Sequence, residues 1–192
     1  MSEENTPYWQ GKLVRLRPMR PDDRHKWLAD EQTDADGVRM LNAGMTLPAS
    51  EHEARSFVQR YAHFNNRQEH LMFSIDNLEG ELVGGINLHS MDQKNGTFEV
   101  GSRIYRAYRG RGYFFDAKLL ILRYAFYELR YQKYECYCHE QNEAMVRHLE
   151  RLGCTLEGRL RRHIYTNGRY YDELAYGLTR EEFDELLARN EN

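Results

Sequence analysis

Apolar and polar positions alternate with a period of two over Lys12 to Arg17, as in a half-buried strand, until Pro18, Pro21 and Asp22 stop the pattern and open a helix carrying Trp27 and Leu28. Ser50-Glu51-His52-Glu53 has the spacing of a capping box, so a second helix is expected through Val58 and Tyr61. Leu71 to Asp76, Glu81 to Leu88 and Thr97 to Tyr105 are the next strand candidates. Polar, glycine-containing stretches separate these three and make them a meander. From Tyr113 to Leu129 the pattern switches. Phe115, Leu119, Leu122, Phe126 and Leu129 recur at alternating spacings of four and three and lay one apolar face along about five helical turns. Tyr134 to Cys138 reads as a strand and Glu143 to Leu152 as a helix stopped by Gly153. Leu156 to Tyr165 and Tyr170 to Leu178 read as a hairpin turning at Asn167-Gly168. Thr179 to Glu182 caps a last short helix. This order predicts an α/β fold built on one mixed sheet.

The turn into the long helix holds the first candidate chemistry. In Arg109-Gly110-Arg111-Gly112-Tyr113-Phe114, two glycines let the backbone turn tightly and approach a ligand, and the free amides of a helix start point at whatever sits there. An anion such as a diphosphate fits that description. Arg103, Arg106, Arg109 and Arg111 make the neighbourhood positive, although the whole chain carries a formal net charge of −3. A short glycine motif on its own is equally an ordinary loop with solvated arginines.

Composition narrows the class. With 192 residues, 41% of them hydrophobic, the chain can bury one sizeable core, so a single domain over 1–192 is expected, with the polar stretch 1–10 as a flexible tail. The 27 basic and 30 acidic residues nearly cancel, which argues against a nucleic-acid partner. Cys136, Cys138 and Cys154, an odd number, suit a reducing compartment, and no apolar run is long enough for a bilayer. A cytoplasmic protein without a membrane partner is therefore expected. Cys136 and Cys138 fall on one face of their strand and His139 on the other, so they read as buried cysteines and no metal site is expected. No Lys-Ser or Lys-Thr follows the glycine loop and no Gly-x-Ser-x-Gly elbow occurs, which sets aside nucleotide triphosphatases and α/β-hydrolases. Arg159, Arg161, Arg162 and Arg169 read as charges guarding a solvated hairpin edge.

Several motifs agree in order and spacing with one family. Leu16-Arg17-Pro18-Met19 with Asp22-Asp23, Leu82-Val83-Gly84-Gly85-Ile86, Phe98-Glu99-Val100-Gly101, the loop Arg109 to Phe114, Asn142, and Leu149-Glu150-Arg151-Leu152-Gly153 resemble the GNAT superfamily of N-acetyltransferases. Within it the chain is most similar to the RimJ/RimL branch, named for acetylation of ribosomal-protein N-termini. Glu157 to Arg161 and Asn167 to Asp172 are also of that branch's type. The likeness runs from about Leu13 to Phe183. It implies a GNAT fold: a mixed, mostly antiparallel sheet of about seven strands flanked by helices, with a V-shaped splay between the fourth and fifth strands. It further implies acetyl-coenzyme A as cosubstrate and no metal. Amides of Arg109, Gly110, Arg111, Gly112, Tyr113 and Phe114 would hold the pyrophosphate, the strand Arg103, Ile104, Tyr105 the pantetheine arm, and Asn142 a further contact. Phe114 departs from the family pattern, which has Gly or Ala there. A homodimer is compatible with the resemblance.

Transfer of an acetyl group to an amine needs a base for the ammonium, whose pKa is near 10, and donors for the oxyanion. It also needs a proton or other stabilisation for the leaving thiolate. Glu99, on the strand beside the expected cleft, is the candidate base, or else a structural acceptor. For the acid, Leu149 stands where many GNAT enzymes have tyrosine, and Met145 where the RimJ/RimL helix commonly has serine. Neither donates a proton. His148 is expected to face another side of the helix, leaving Tyr137 first, then His139 and Tyr105. Asp22, Asp23, Asp30, Glu31, Asp34, Asp36, Glu51 and Glu53 bias the first helices towards acid and favour a cationic acceptor, such as a basic peptide N-terminus. The alternatives are a polyamine or aminoglycoside acetyltransferase and a non-catalytic acyl-coenzyme A binding protein.

Overall fold

A computed structural model gives the structure of the protein and describes residues 7–62 and 70–190. Strands β1 (Val14–Pro18), β2 (Leu71–Asn77), β3 (Leu82–Asp92) and β4 (Thr97–Ile104) pair antiparallel in sequence order, β2 to β4 as the expected meander. A crossover through helix α4 (Tyr113–Arg123) then brings β5 (Lys133–His139) parallel to β4. The hairpin of β6 (Thr155–Thr166) and β7 (Arg169–Thr179) closes the sheet in the order β1-β2-β3-β4-β5-β7-β6. Asn167 and Gly168 take φ of 50° and 72°, the two left-handed residues of the tight hairpin turn that Asn-Gly favours.

The other helices are α1 (Asp23–Thr33), α2 (Ala35–Leu41), α3 (Glu51–Tyr61), α5 (Glu143–Leu152) and α6 (Arg180–Asn190). Both expected capping boxes form: Ser50 with Glu53, and Thr179 with Glu182. Helix α2 had no sequence forecast. It is short and starts on Asp34, whose carboxylate accepts from the Gly37 N–H at 3.3 Å.

Two expectations need correction. The long helix lays Phe115, Leu119, Leu122, Phe126 and Leu129 in or against the core as expected, but it is not a continuous α-helix to Leu129. It is α-helical to Arg123 and then widens into a π-turn over Tyr124–Glu128. Its buried band includes Asp116, Ala117, Lys118, Ile121 and Leu122, whereas Phe115 and Leu119 are only half-buried. The polar members have separate causes. Asp116 accepts from the N–H groups of Lys12, Leu13 and Val14 at 3.1, 2.7 and 2.9 Å, so α4 clamps the start of β1. Lys118 does not line the cleft described below; it is fully buried behind the cleft wall, against Val100 and Tyr134. The tail expectation fails at its inner end: Trp9 packs on Phe73 and Tyr124 at ring distances of 5.0 and 4.9 Å, and its carbonyl accepts from Leu16 N–H. Residues 1–6 lie outside the described residues.

Alternation along β4 and β5 divides the site between two faces. Phe98, Val100, Tyr134, Cys136 and Cys138 are buried in the core with α4. Glu99, Arg103, Glu135 and Tyr137 point to the opposite face, where Arg103 reaches Asp30 of α1 at 2.7 Å.

Candidate active site

Strands β4 and β5 pair over three positions only, Thr97 with Lys133, Phe98 with Tyr134 and Glu99 with Glu135, and then part. The parting opens a cleft of about 810 Å³. Its walls bring together Glu99, Arg103, Ile104, the whole of Arg109 to Phe114, Tyr137 and Asn142, which the sequence singles out from distant segments. Tyr105 is not among them. It is buried, and its N–H is spent on the Val83 carbonyl at 2.9 Å, so it has no backbone donor left for a ligand. His139 also stays outside the cleft, stacked on Tyr171.

The glycine loop has the shape its sequence requires. Gly110 and Gly112 take φ of 77° and 84°, and a Cβ added at Gly110 would meet nothing within 4 Å, which leaves room for a ligand against the backbone. At the start of α4 the Tyr113 and Phe114 amides are left without an acceptor in the helix, whereas Phe115 N–H already bonds the Gly112 carbonyl at 3.1 Å. Phe114 turns its ring onto His148, with centroids 4.2 Å apart, so its amide stays available despite the bulky side chain. The arginines are deployed differently from the sequence expectation. Arg103 and Arg109 are both held by Asp34, and Arg109 Nε also donates to the Ile104 carbonyl at 3.0 Å. Positive charge at this mouth comes instead from Arg111 together with Arg147 and Arg151 of α5, two lining residues that sequence reasoning passed over. Their i, i+4 spacing on the helix was the available signal.

On the opposite face Glu99 lines the cleft between two strands. His89 is its antiparallel partner on β3 and Glu135 its parallel partner on β5. Burial pushes the His89 pKa down, the Glu99 carboxylate works against that, and the Lys118 charge adds to it; the net result is a lowered value and a neutral ring at pH 7. Tyr137 is on the same face, with its hydroxyl pushed above the ordinary range by burial and then by Glu135 and Glu99. That makes it a weaker proton donor and puts it on the side of the base. Cys136 and Cys138 line the core side with their thiols pushed up by burial, Cys138 to about 12, so neither is a thiolate nucleophile.

Residues 14–155 match the family described as acetyltransferase (GNAT) domain. The chain belongs to the GNAT acetyltransferase family. It is similar to the SPbeta prophage-derived uncharacterized N-acetyltransferase YokL of Bacillus subtilis, with 32% identity over 92% of this chain and 96% of that one. It is also similar to the "Putative ribosomal N-acetyltransferase YdaF" of the same organism, with 31% identity over 66% of each. A GCN5-related N-acetyltransferase from Brucella melitensis superposes with a TM-score of 0.75 at 26% identity, over 93% of this chain and 80% of that one. The fold alone is shared, at 18% identity and over 88% of this chain, with two coenzyme A complexes. One is RimL, a ribosomal L7/L12 alpha-N-protein acetyltransferase (TM-score 0.75, 94% of that chain); the other is the spermidine N-acetyltransferase of Vibrio cholerae with CoA and spermine (TM-score 0.77, 97% of that chain).

As a GNAT enzyme the protein transfers an acetyl group from acetyl-coenzyme A, and the cleft fits that cosubstrate. Gly110 leaves a cradle beside the α4 amides, and β4 beyond Glu99 offers an edge without a β5 partner. From Val100 to Ile104 that edge spans about 13 Å along the cleft. Asn142 contributes less than the resemblance implies, since its side-chain oxygen caps α5 by accepting from Met145 N–H at 3.2 Å; only its NH₂ is left for a ligand. Among the described residues no group of three His, Cys, Asp or Glu could hold a metal, and no helix is long and apolar enough to cross a membrane.

The GNAT acid position is where chain and family differ most. Leu149 is fully buried in the core and inert, while its neighbour His148 lines the cleft, contrary to its expected orientation. His148 Nε2 has no partner among the described residues. Burial, then the charges of Lys118 and Arg151, push its pKa down to about 3, so the ring is neutral and is not a proton donor at pH 7.

Proposed function

We propose that the acetyl acceptor is the primary amine of a peptide or protein N-terminus, entering from the face that carries Glu99. The observation that carries this reading is the split site: the glycine loop and the α5 arginines line one part of the cleft, and Glu99 and Glu135, paired where β4 and β5 begin to part, line another. When bound, acetyl-coenzyme A supplies an activated acetyl thioester. Glu99 takes the proton of the incoming ammonium, directly or through water, with His89 as a neutral neighbour that can share it. Of the N–H groups beyond the parting, that of Gly101 is engaged by the Asn87 side chain at 3.1 Å, which leaves the adjoining β4 amides as donors for charge developing on the carbonyl oxygen.

A cationic acceptor is part of the proposal, on narrower grounds than the acidic bias of the first helices. Most of those carboxylates are internally committed: Asp23 to Arg17, Asp30 to Arg103, Asp34 to Arg103 and Arg109, Glu51 to Arg24, and Glu53 to the Ser50 amide. Glu99 enters no ion pair among the described residues and supplies the field at the amine. Met40 and Leu41, also lining, suit a peptide side chain more than a bare polyamine. The ribosomal N-acetyltransferase relative supports the N-terminus; the polyamine reading draws on a neighbour that shares the fold alone. Three free, buried cysteines support a reducing, cytoplasmic setting.

Steady-state kcat/KM measured side by side on a basic peptide, an acidic peptide, spermidine and an aminoglycoside tests this. The basic peptide is expected to lead, with a KM that rises with salt because the attraction is screened beyond about 8 Å at physiological ionic strength. Spermidine or the aminoglycoside leading would assign a small-amine acceptor. Equal efficiency on both peptides without salt dependence would remove the cationic preference.

A further inference from the structure

Lys118 is fully buried, and no carboxylate pairs with it among the described residues. Its Nζ lies 3.5 Å from the Val100 carbonyl and 3.3 Å from the Tyr134 hydroxyl, which places it where β4 and β5 part, on the core side of the closed end of the V. An ammonium has three donors, and these two long contacts leave one unassigned. Taking such a charge out of water without an ion pair costs several kcal/mol, and a leucine or methionine would fill the same volume without that cost. A structural role alone does not account for it.

We propose that Lys118 protonates the departing coenzyme A sulfur, the role that Leu149 cannot fill. The inference rests on the arm being seated along β4 from the glycine loop, so that its thioester reaches the closed end of the V. Glu99 and Lys118 then stand on opposite faces of the sheet, base on the amine side and acid on the sulfur side. Lys118 gives up one Nζ proton, the N–H electron pair stays on nitrogen, and the proton forms an S–H bond with a sulfur lone pair. Of the two protons the amine sheds, one goes to solvent and the other is matched by the proton Lys118 takes back.

The surroundings suit the transfer. Burial lowers the Lys118 pKa to about 8, against a weaker opposing pull from Cys136 and Cys154, which brings it close to the value of about 8.5 for a free thiol. The other titratable groups around it are Tyr134 and Cys136 on β5, His148 on α5 and Cys154 just after it, with the charge of Lys118 also felt at His89 of β3 from across the sheet. Neutral His148 and His89 add no competing positive charge. Phe114 and Tyr134 turn their ring faces to Nζ at 5.4 and 5.2 Å, which keeps water away while tolerating the cation.

The test is the titration of coenzyme A bound to the protein, followed by the ultraviolet absorbance of its thiolate, in wild type and in Lys118→Met. Wild type is expected to lower the bound thiol pKa by one unit or more, a tenfold shift in its ionisation, and Lys118→Met to return it towards the free value while coenzyme A still binds. In turnover, Lys118→Met is expected to lower kcat at least tenfold with KM for acetyl-coenzyme A nearly unchanged. A bound thiol that titrates like the free coenzyme in wild type overturns the proposal without any variant, as does an equal shift in both proteins. Loss of coenzyme A binding to wild type would instead overturn the seating in the V, a separate outcome.

Discussion

In the proposed mechanism the amine half of the reaction turns on Glu99. Its place at the cleft was legible in the sequence from the strand before the glycine loop, while its role, base or structural acceptor, was not. Its partner His89 was not legible, since cross-strand pairing emerges only once the register is known. Glu99→Gln is expected to cut kcat by roughly a hundredfold with the affinity for acetyl-coenzyme A nearly unchanged. Survival of full turnover would make Glu99 a structural acceptor. Lys118 shows the opposite limit of sequence reading. A lysine within a helical pattern is assigned to the solvent side, and only packing against Val100 and Tyr134 reveals it in the core. His148 was misjudged for a related reason: α4 leans on α5 through Phe114 and Phe115, so the face of α5 that meets the cleft includes position 148.

At the scale of elements, the loop from Arg109 to Phe114 and the start of α4 form the part most fully specified by sequence. Two glycines at positive φ and an open helix start follow from residue identity alone. The deployment of the arginines does not, because Asp34 sits on a helix without a forecast and draws Arg103 and Arg109 away from the loop's ligand. Burial opposes ionisation of Asp34, but its bonds to Arg109 and the Gly37 amide win and hold its pKa below the usual carboxylate range, so this clamp persists at neutral pH. Gly112→Asp is expected to weaken coenzyme A binding at least tenfold, about 1.4 kcal/mol. It adds a negative charge to the loop and a Cβ 3.0 Å from Leu13 Cδ1 at a left-handed position, which costs about 1 kcal/mol in strain for a residue other than glycine. Calorimetry on the variant, with circular dichroism to show that it is folded, checks this; unchanged affinity in a folded variant would move the diphosphate elsewhere.

For the whole molecule, alternation and turn chemistry carry the seven strands and their order of appearance. The splay between β4 and β5 follows from the family likeness, because nothing in the pattern of Thr97 to Tyr105 says that pairing stops after Glu99. What the fold adds is the division of labour across one sheet, with a carboxylate on one face, a buried ammonium on the other and the acetyl group passing between them. The most direct measurement is release of coenzyme A thiol on mixing the protein with acetyl-coenzyme A and a basic peptide, compared with the same peptide carrying a blocked N-terminus. Thiol release that requires the free amine, with product acetylated on that nitrogen, is the predicted result. Coenzyme A bound in the cleft with no thiol released by the free peptide or any other amine would contradict it, and would make the protein a binding module.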